Sequence, residues 1–205
     1  MAKIKFTKTE LKRQRDQLKQ FTRFLPTLQL KKQQLQLEIR LCAERIAANE
    51  RKEKEAVARL AEWTMLFGDA DAASVIAAKL RIRKVNREYE NIAGVNVPVY
   101  HSTDFELEPY DLFSADPWID DGIEAVKAIV ELRIERDIIR EQNRLIVQEL
   151  RVTTQRVNLF EKVMIPNAKE NIRVINIYLG DQQTNSVGRS KIAKGKCAAR
   201  DASIA

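Results

Sequence analysis

The sequence predicts a mainly α fold: a long antiparallel two-helix coiled coil, formed by the N- and C-terminal helices, with a small central head holding a short helix and a β-hairpin. Three observations predict it. Apolar rungs spaced alternately three and four apart run through the N-terminal third of the chain. A second such ladder runs through the C-terminal half. Between them the spacing drops to two on either side of a Gly/Asn turn. Spacings of three and four keep one helix face apolar, whereas alternation marks a half-buried strand.

The first ladder occupies residues 9–63: Leu11, Gln14, Leu18, Phe21, Leu25, Leu28, Lys32, Leu35, Ile39, Cys42, Ile46, Asn49, Glu53, Ala56, Leu60 and Trp63. No Gly precedes Gly68. At roughly 1.5 Å per residue this is a rod of about 80 Å, far longer than an ordinary globular helix. A seam of that length needs an equally long cover.

Near Gly68-Asp69-Ala70-Asp71 the ladder fades, which predicts a break, and the alanine-rich residues 72–78 suggest a short helix. Val85, Arg87, Tyr89 and Asn91 then alternate, Ala93-Gly94-Val95-Asn96 supplies a turn, and Val97, Val99 and His101 alternate again, followed by Phe105 and Leu107. This reads as a hairpin over about Leu80 to Leu107. Pro98 marks an edge strand or a strand start. A lone hairpin is marginal in water and must pack on something.

Asp116-Pro117 reads as a helix start, with Asp120, Asp121 and Glu124 near the positive end of the dipole. The second ladder follows: Ala125, Ile129, Leu132, Arg136, Ile139, Asn143, Ile146, Leu150, Thr153, Val157, Phe160, Met164, Asn167 and Asn171. Beyond Met164 the apolar residues drift to Ala168, Ile172, Ile175 and Leu179, a local change of period. The helix is expected to end at Gly180. The resulting division is 1–67 N-terminal coiled-coil helix, 68–116 head, 117–180 C-terminal coiled-coil helix and 181–205 basic polar tail.

Antiparallel pairing of rungs whose numbers sum to 192 lays seam on seam, with Cys42 opposite Leu150. A shift of seven residues does the same, so the ladders alone do not fix the register. Two coincidences favour 192: Asn49 falls opposite Asn143 and Pro26 opposite Pro166. A polar pair within an apolar seam is a register device.

Composition agrees with solvated helices rather than a ball: 32% charged residues, six Gly and five Pro in 205 residues. No apolar run approaches the roughly 18 residues of a membrane span, and the first residues carry no apolar signal core, so the chain is expected to be soluble and cytoplasmic. Two cysteines, Cys42 and Cys197, with one histidine, His101, make neither a zinc site nor a disulfide framework. Cys42 reads as a small core residue and His101 as structural or surface. No phosphate loop, nucleophile triad or apolar carboxylate pair is present. No catalytic, cofactor-binding or metal-binding residue is assigned, and no cofactor is expected.

The net charge of +7 conceals a strong polarity. Residues 1–40 hold eleven basic residues against three acidic ones. From Glu88 to Glu124 there are ten acids and no Lys or Arg. After Val187 the chain is basic again, with Arg189, Lys191, Lys194, Lys196 and Arg200 against Asp201.

Four stretches, in order along nearly the whole chain, carry a resemblance: Phe6-Thr-Lys-Thr-Glu-Leu11, Phe24-Leu-Pro-Thr-Leu-Gln-Leu-Lys-Lys-Gln-Gln-Leu35, Ile92-Ala-Gly-Val-Asn-Val-Pro-Val99 and Arg156-Val-Asn-Leu-Phe-Glu-Lys-Val-Met-Ile-Pro166. Together they resemble the D subunits of V-type (A/V-type) rotary ATPases. The resemblance implies a non-catalytic central rotor shaft that transmits torque between ATP hydrolysis or synthesis and proton or sodium transport across the membrane. It implies catalytic A and B subunits around the shaft, an F subunit at the head, and a funnel subunit linking to the membrane rotor ring. It places the chain on the cytoplasmic side, peripheral to the membrane and not inserted in it. Many members continue past the second proline as a long charged helix, whereas here Gly180-Asp-Gln-Gln-Thr-Asn-Ser-Val-Gly188 intervenes.

Two rival classes fit less well. A basic coiled-coil scaffold or nucleic-acid-binding protein would use its Lys and Arg on phosphates, but the basic ladder lacks aromatic stacking platforms. A membrane-surface amphipathic module would need a broad free apolar face, but here that face is a narrow seam already used by the partner rod.

Overall fold

The computed structural model describes residues 5–67, 79–109 and 119–204. The expected break at Gly68, the short helix at 72–78 and the Asp116-Pro117 helix start lie outside them. The described elements are helix α1 (Lys8–Phe67), strands β1 (Leu80–Ile92) and β2 (Val95–Leu107), helix α2 (Ile119–Leu159), a π-helical turn (Phe160–Met164) and helix α3 (Ile165–Ile204). The architecture is mainly α, with long N- and C-terminal helices and one antiparallel hairpin.

α1 begins at an N-cap, Thr7. Thr7 Oγ1 accepts from the Glu10 N–H at 3.2 Å, and the Thr7 carbonyl accepts from the Leu11 N–H at 3.0 Å. The cap thus satisfies a donor that the first turn leaves without a helical partner. From Leu11 to Leu60 every rung of the first ladder is buried or half-buried. Leu35 and Cys42 are the most enclosed of the apolar rungs.

The chain divides into two compact units. One holds Lys31–Val152. Its core gathers Leu35 and Cys42 from α1, Val97 from β2, and Ile139 and Ile146 from α2. β1 and β2 pair antiparallel from Leu80↔Leu107 to Ile92↔Val95. Ala93 (φ 50°) and Gly94 (φ 82°) turn the chain, two residues in the left-handed region as a tight twisted hairpin requires. The pairing slips at Ile82/Lys84 and at Asn86/Arg87.

The other unit joins Met1–Leu30 to Thr153–Ala205. Phe21 meets Phe160 edge-on, ring centroids 5.3 Å apart, and Phe6 meets Tyr178 at 5.0 Å. Asn171 Nδ2 donates to Gln14 Oε1 at 3.3 Å. Low numbers pair with high ones in turn, so the helices run antiparallel. The π turn explains the change of period seen in the sequence. The Ile165 N–H bonds to the Phe160 carbonyl, one residue further back than in an α-helix, so one extra residue enters the turn. The seam moves by that residue: Asn167 is exposed and Ala168 is buried, followed by buried Ile175 and half-buried Ile172 and Leu179. Pro166 comes directly after. Proline offers no N–H and crowds the carbonyl four residues back, so a helix approaching it favours a local rearrangement.

Two expectations are corrected. The helix does not stop at Gly180: α3 runs to Ile204, through Gly180, Gly188 and Gly195. Nothing lies within 4 Å of a Cβ built on any of the three, so these glycines neither cap the helix nor admit a close neighbour. The register summing to 192 also fails. Asn49 Nδ2 donates to Glu135 Oε2 at 2.8 Å, eight residues short of Asn143. Phe21 faces Phe160 where Asn171 was expected, and Pro26 and Pro166 are accordingly not level. The pairing is displaced by about one heptad. In this register Glu53 meets Arg133 and Arg136, at 2.7 Å and 2.6 Å. The same register brings Glu50 to Arg140 at 3.0 Å and Lys31 to Glu149 at 2.7 Å.

Candidate interaction surfaces

In the unit holding the hairpin, three contacts fix β1 and β2 to the helices. Val97 is fully buried in the apolar core. Gln142, itself buried, donates from Nε2 to the Pro98 carbonyl at 2.6 Å. Lys31 Nζ lies 3.6 Å from where a Cβ on Gly94 would sit, and the same ammonium is paired with Glu149. The face so fixed is not available to a partner. What remains is the outer surface: Tyr89 is 75% exposed and Ile82 52%, among exposed Arg81, Arg83, Lys84, Arg87, Glu88, Glu90, Asp104 and Glu106. His101 is exposed, its Nδ1 3.9 Å from a Glu88 carboxylate oxygen.

Within the same unit the seam turns polar at Glu53. Its side chain is only 13% exposed and accepts from Arg133 and Arg136. The Arg133 hydrogen bond first, then the charges of Arg136, Arg133 and Arg140, hold its carboxyl below the ordinary glutamate range against the opposing effect of burial. Asn49 and Asn143 each keep a buried Oδ1 without a hydrogen-bond donor. Cys42 is buried, and burial pushes its thiol up, so it is an inert core residue as the ladder suggested.

In the unit holding the termini, α1 carries a row of exposed cations: Lys8, Lys12, Arg15, Lys19 and Arg23. Their spacing of four, three, four and four puts them on one helix face. Two shallow grooves border them. One is lined by Lys8, Leu11, Lys12, Arg15, Asp16 and residues of α3, the other by Arg15, Leu18, Lys19, Thr22 and Arg23. On α3, residues 181–200 are exposed throughout.

Among the described residues no group of three or more His, Cys, Asp or Glu side chains is placed to hold a metal. No described helix is long and apolar enough to cross a membrane. Sequence reasoning assigned no site residue. It placed Glu53 and Arg136 on the two ladders but did not pair them, although their opposite charges were a signal.

Known proteins of similar sequence are D subunits of ATP synthases. The family of ATP synthase D subunits matches residues 10–195. The D subunit of the V-type ATP synthase of Borreliella burgdorferi is 44% identical over 194 residues, covering 95% of each chain. That of Chlamydia pneumoniae is 30% identical over 199 residues, covering 97% of this chain and 95% of its own. That of Chlamydia trachomatis serovar L2 is 34% identical, covering 95% and 96%.

Proposed function

Because this chain belongs to the family of ATP synthase D subunits, we propose that it is the torque-bearing shaft of a V-type rotary ATPase and performs no chemistry itself. It is a central-stalk subunit of that complex. The finer reading assigns catalytic A and B subunits to the surface around the helices and a funnel subunit as the link to the membrane rotor ring. It sets the whole on the cytoplasmic side. An F subunit binds the outer surface of the head. One observation carries the mechanical role: in both units an unbroken seam of buried or half-buried rungs locks α1 against its antiparallel partner. A packed helix pair resists bending and twisting more than a single helix does. The exposed charges contribute only about 0–1 kcal/mol per contact, weak enough for a rotating surface to exchange partners.

The head assignment rests on the exposed Tyr89 and Ile82 among charges of both signs. Substituting Val97 would not test it, because Val97 is core and its loss would undock the hairpin itself. Outward Tyr89→Ala with Ile82→Asp should instead abolish F-subunit capture while leaving helicity intact. Affinity capture of the tagged chain from native membranes should bring down the A, B and F subunits together. Recovery without any of them would overturn the reading.

A further inference from the structure

The heptads of the Lys31–Val152 unit nearly repeat, so a slip of seven residues sets apolar rungs against apolar rungs again. In one respect the observed register is the poorer one. Asn49 and Asn143 each bury an Oδ1 without a donor among the described residues, and a slip to the register summing to 192 sets the two amides opposite each other. A buried acceptor without a donor is costly, so other contacts must hold the helices where they are. Lys31–Glu149 and Glu50–Arg140 are partly exposed pairs, a weak class of contact. Glu53 is more enclosed, yet one heptad past Arg133 stands Arg140, which can take its place. The anchors of the hairpin do not repeat in this way. Val97 is fully buried in one cluster with Leu35 and Cys42 of α1 and Ile139 and Ile146 of α2, and the same slip brings Asn49 or Thr153 to that level. Gln142 donates to the Pro98 carbonyl at 2.6 Å. One heptad before it stands Glu135, and one heptad after it Glu149. An ionised carboxylate only accepts, so neither can replace the amide at that carbonyl.

We infer that the β-hairpin is the register clamp of the helix pair. Val97 and the Pro98 carbonyl, met by Gln142, select the one heptad alignment that all their contacts fit, and β2 thereby fixes α1 against α2. Lys31, whose Nζ lies beside the turn at Gly94, belongs to the same set. After the slip its partner Glu149 would meet Glu38 in its place, and two carboxylates repel. The clamp goes beyond the shaft reading and holds without it, since it concerns one chain alone. In a shaft it keeps one helix from sliding along the other under load.

The test uses the full chain with Cys197→Ser, so that Cys42 is its one native thiol, and oxidised glutathione as the oxidant. Asn143→Cys reports the observed register and Leu150→Cys the slipped one; the two lie about 10 Å apart along the axis, too far for one geometry to bridge both. With the hairpin docked, Cys42 should bridge to position 143. Val97→Asp, which puts a carboxylate into the buried cluster, should lower the ratio of bridging rates, 143 over 150, by about tenfold or more, as the loss of a buried polar contact and its packing allows. His101→Asp adds the same carboxylate on the exposed side of β2 and should leave the ratio unchanged. A second variant combines Gln142→Glu with Glu149→Gln, moving the amide donor one heptad along α2 without altering composition. Bridging should then shift to position 150. Circular dichroism checks that each variant keeps its helicity. Should Val97→Asp lose it, the exchange variant, which leaves Val97 in place, decides alone. Bridging that stays at position 143 in a helical Val97→Asp variant overturns the clamp. So does any outcome of the exchange other than a gain at position 150. No other subunit is present, so either failure leaves the shaft reading standing.

Discussion

Glu53 shows how single residues decide what the seam leaves open. A glutamate at a seam position loses solvation, and Arg133 and Arg136 restore it with two short hydrogen bonds. Its carboxyl is held below the ordinary range. A depressed acid contributes stability that is present above its unfolded pKa and lost as pH falls through the folded value. Glu53→Gln should therefore lower the thermal midpoint by a few degrees at pH 7, and the difference should shrink as the pH is lowered toward 3. Calorimetry at both pH values checks this; an equal deficit at pH 3 would point to packing rather than charge. The register has its own residue-level test. In a Cys197→Ser background, Asn143→Cys should oxidise readily with Cys42, and Leu150→Cys should not. The two registers differ by about 10 Å along the axis, whereas a disulfide needs Cβ atoms about 3.5–4.5 Å apart. Efficient bridging only from position 150 would restore the register summing to 192. The ladders exposed the seam from sequence because burial repeats with the helix. They were silent on register because a seven-residue slip buries the same side chains, and matching Asn49 to Asn143 chose the wrong polar pair: Asn49 bonds Glu135 instead.

At the scale of elements, the hairpin was readable almost to the residue because its period of two, its Gly at the turn and its β-branched residues all agree. Less visible was what holds it. A two-stranded sheet has two open edges, and the slips at Ile82/Lys84 and Asn86/Arg87 break the regular edge that a further strand would need. Attachment falls instead to Val97, Gln142 and the turn beside Lys31. Gly94→Ala would meet Lys31 Nζ only at ordinary contact distance, but its φ of +82° is costly for a residue with a Cβ, by about 1–2 kcal/mol. Amides of β1 and β2 should then exchange with deuterium roughly tenfold faster, since about 1.4 kcal/mol is a factor of ten. Amides in the middle of α1 should not change. Unaltered exchange in the hairpin would mean that the turn does not control its docking. Gln142→Leu should act similarly, since it strands the buried Pro98 carbonyl at about 1–3 kcal/mol. The π turn had a sequence signature as well, the one-residue drift from Asn167 to Ala168 beside Pro166. The helix end at Gly180 misled because glycine ends a helix only where the chain has reason to turn, and here none exists.

On the scale of the whole chain, charge and burial are unevenly distributed. The first forty residues and the last eighteen are basic and the middle is acidic. The last segment of helix, residues 181–200, is exposed on every side. Such a helix has little to stabilise it. Glycine costs about 1 kcal/mol relative to alanine in a helix interior, and α3 contains Gly188 and Gly195 beyond Gly180. Thr184 and Ser190 hydroxyls bond back to the carbonyls of Gly180 and Ser186, an arrangement that slightly weakens a helix. Most helical stability in proteins comes from packing of one face, which this segment lacks. It follows that the segment adds almost nothing to the stability of the chain. Truncation after Gly180 should leave the thermal midpoint of the isolated chain within about 1 °C. In the reconstituted complex the same truncation should lower ATP-driven ion pumping more than it lowers co-purification of the A and B subunits. A fall of several degrees in the isolated chain would show that the segment is held by its own chain. Unchanged pumping with normal assembly would show that it takes no part in carrying torque.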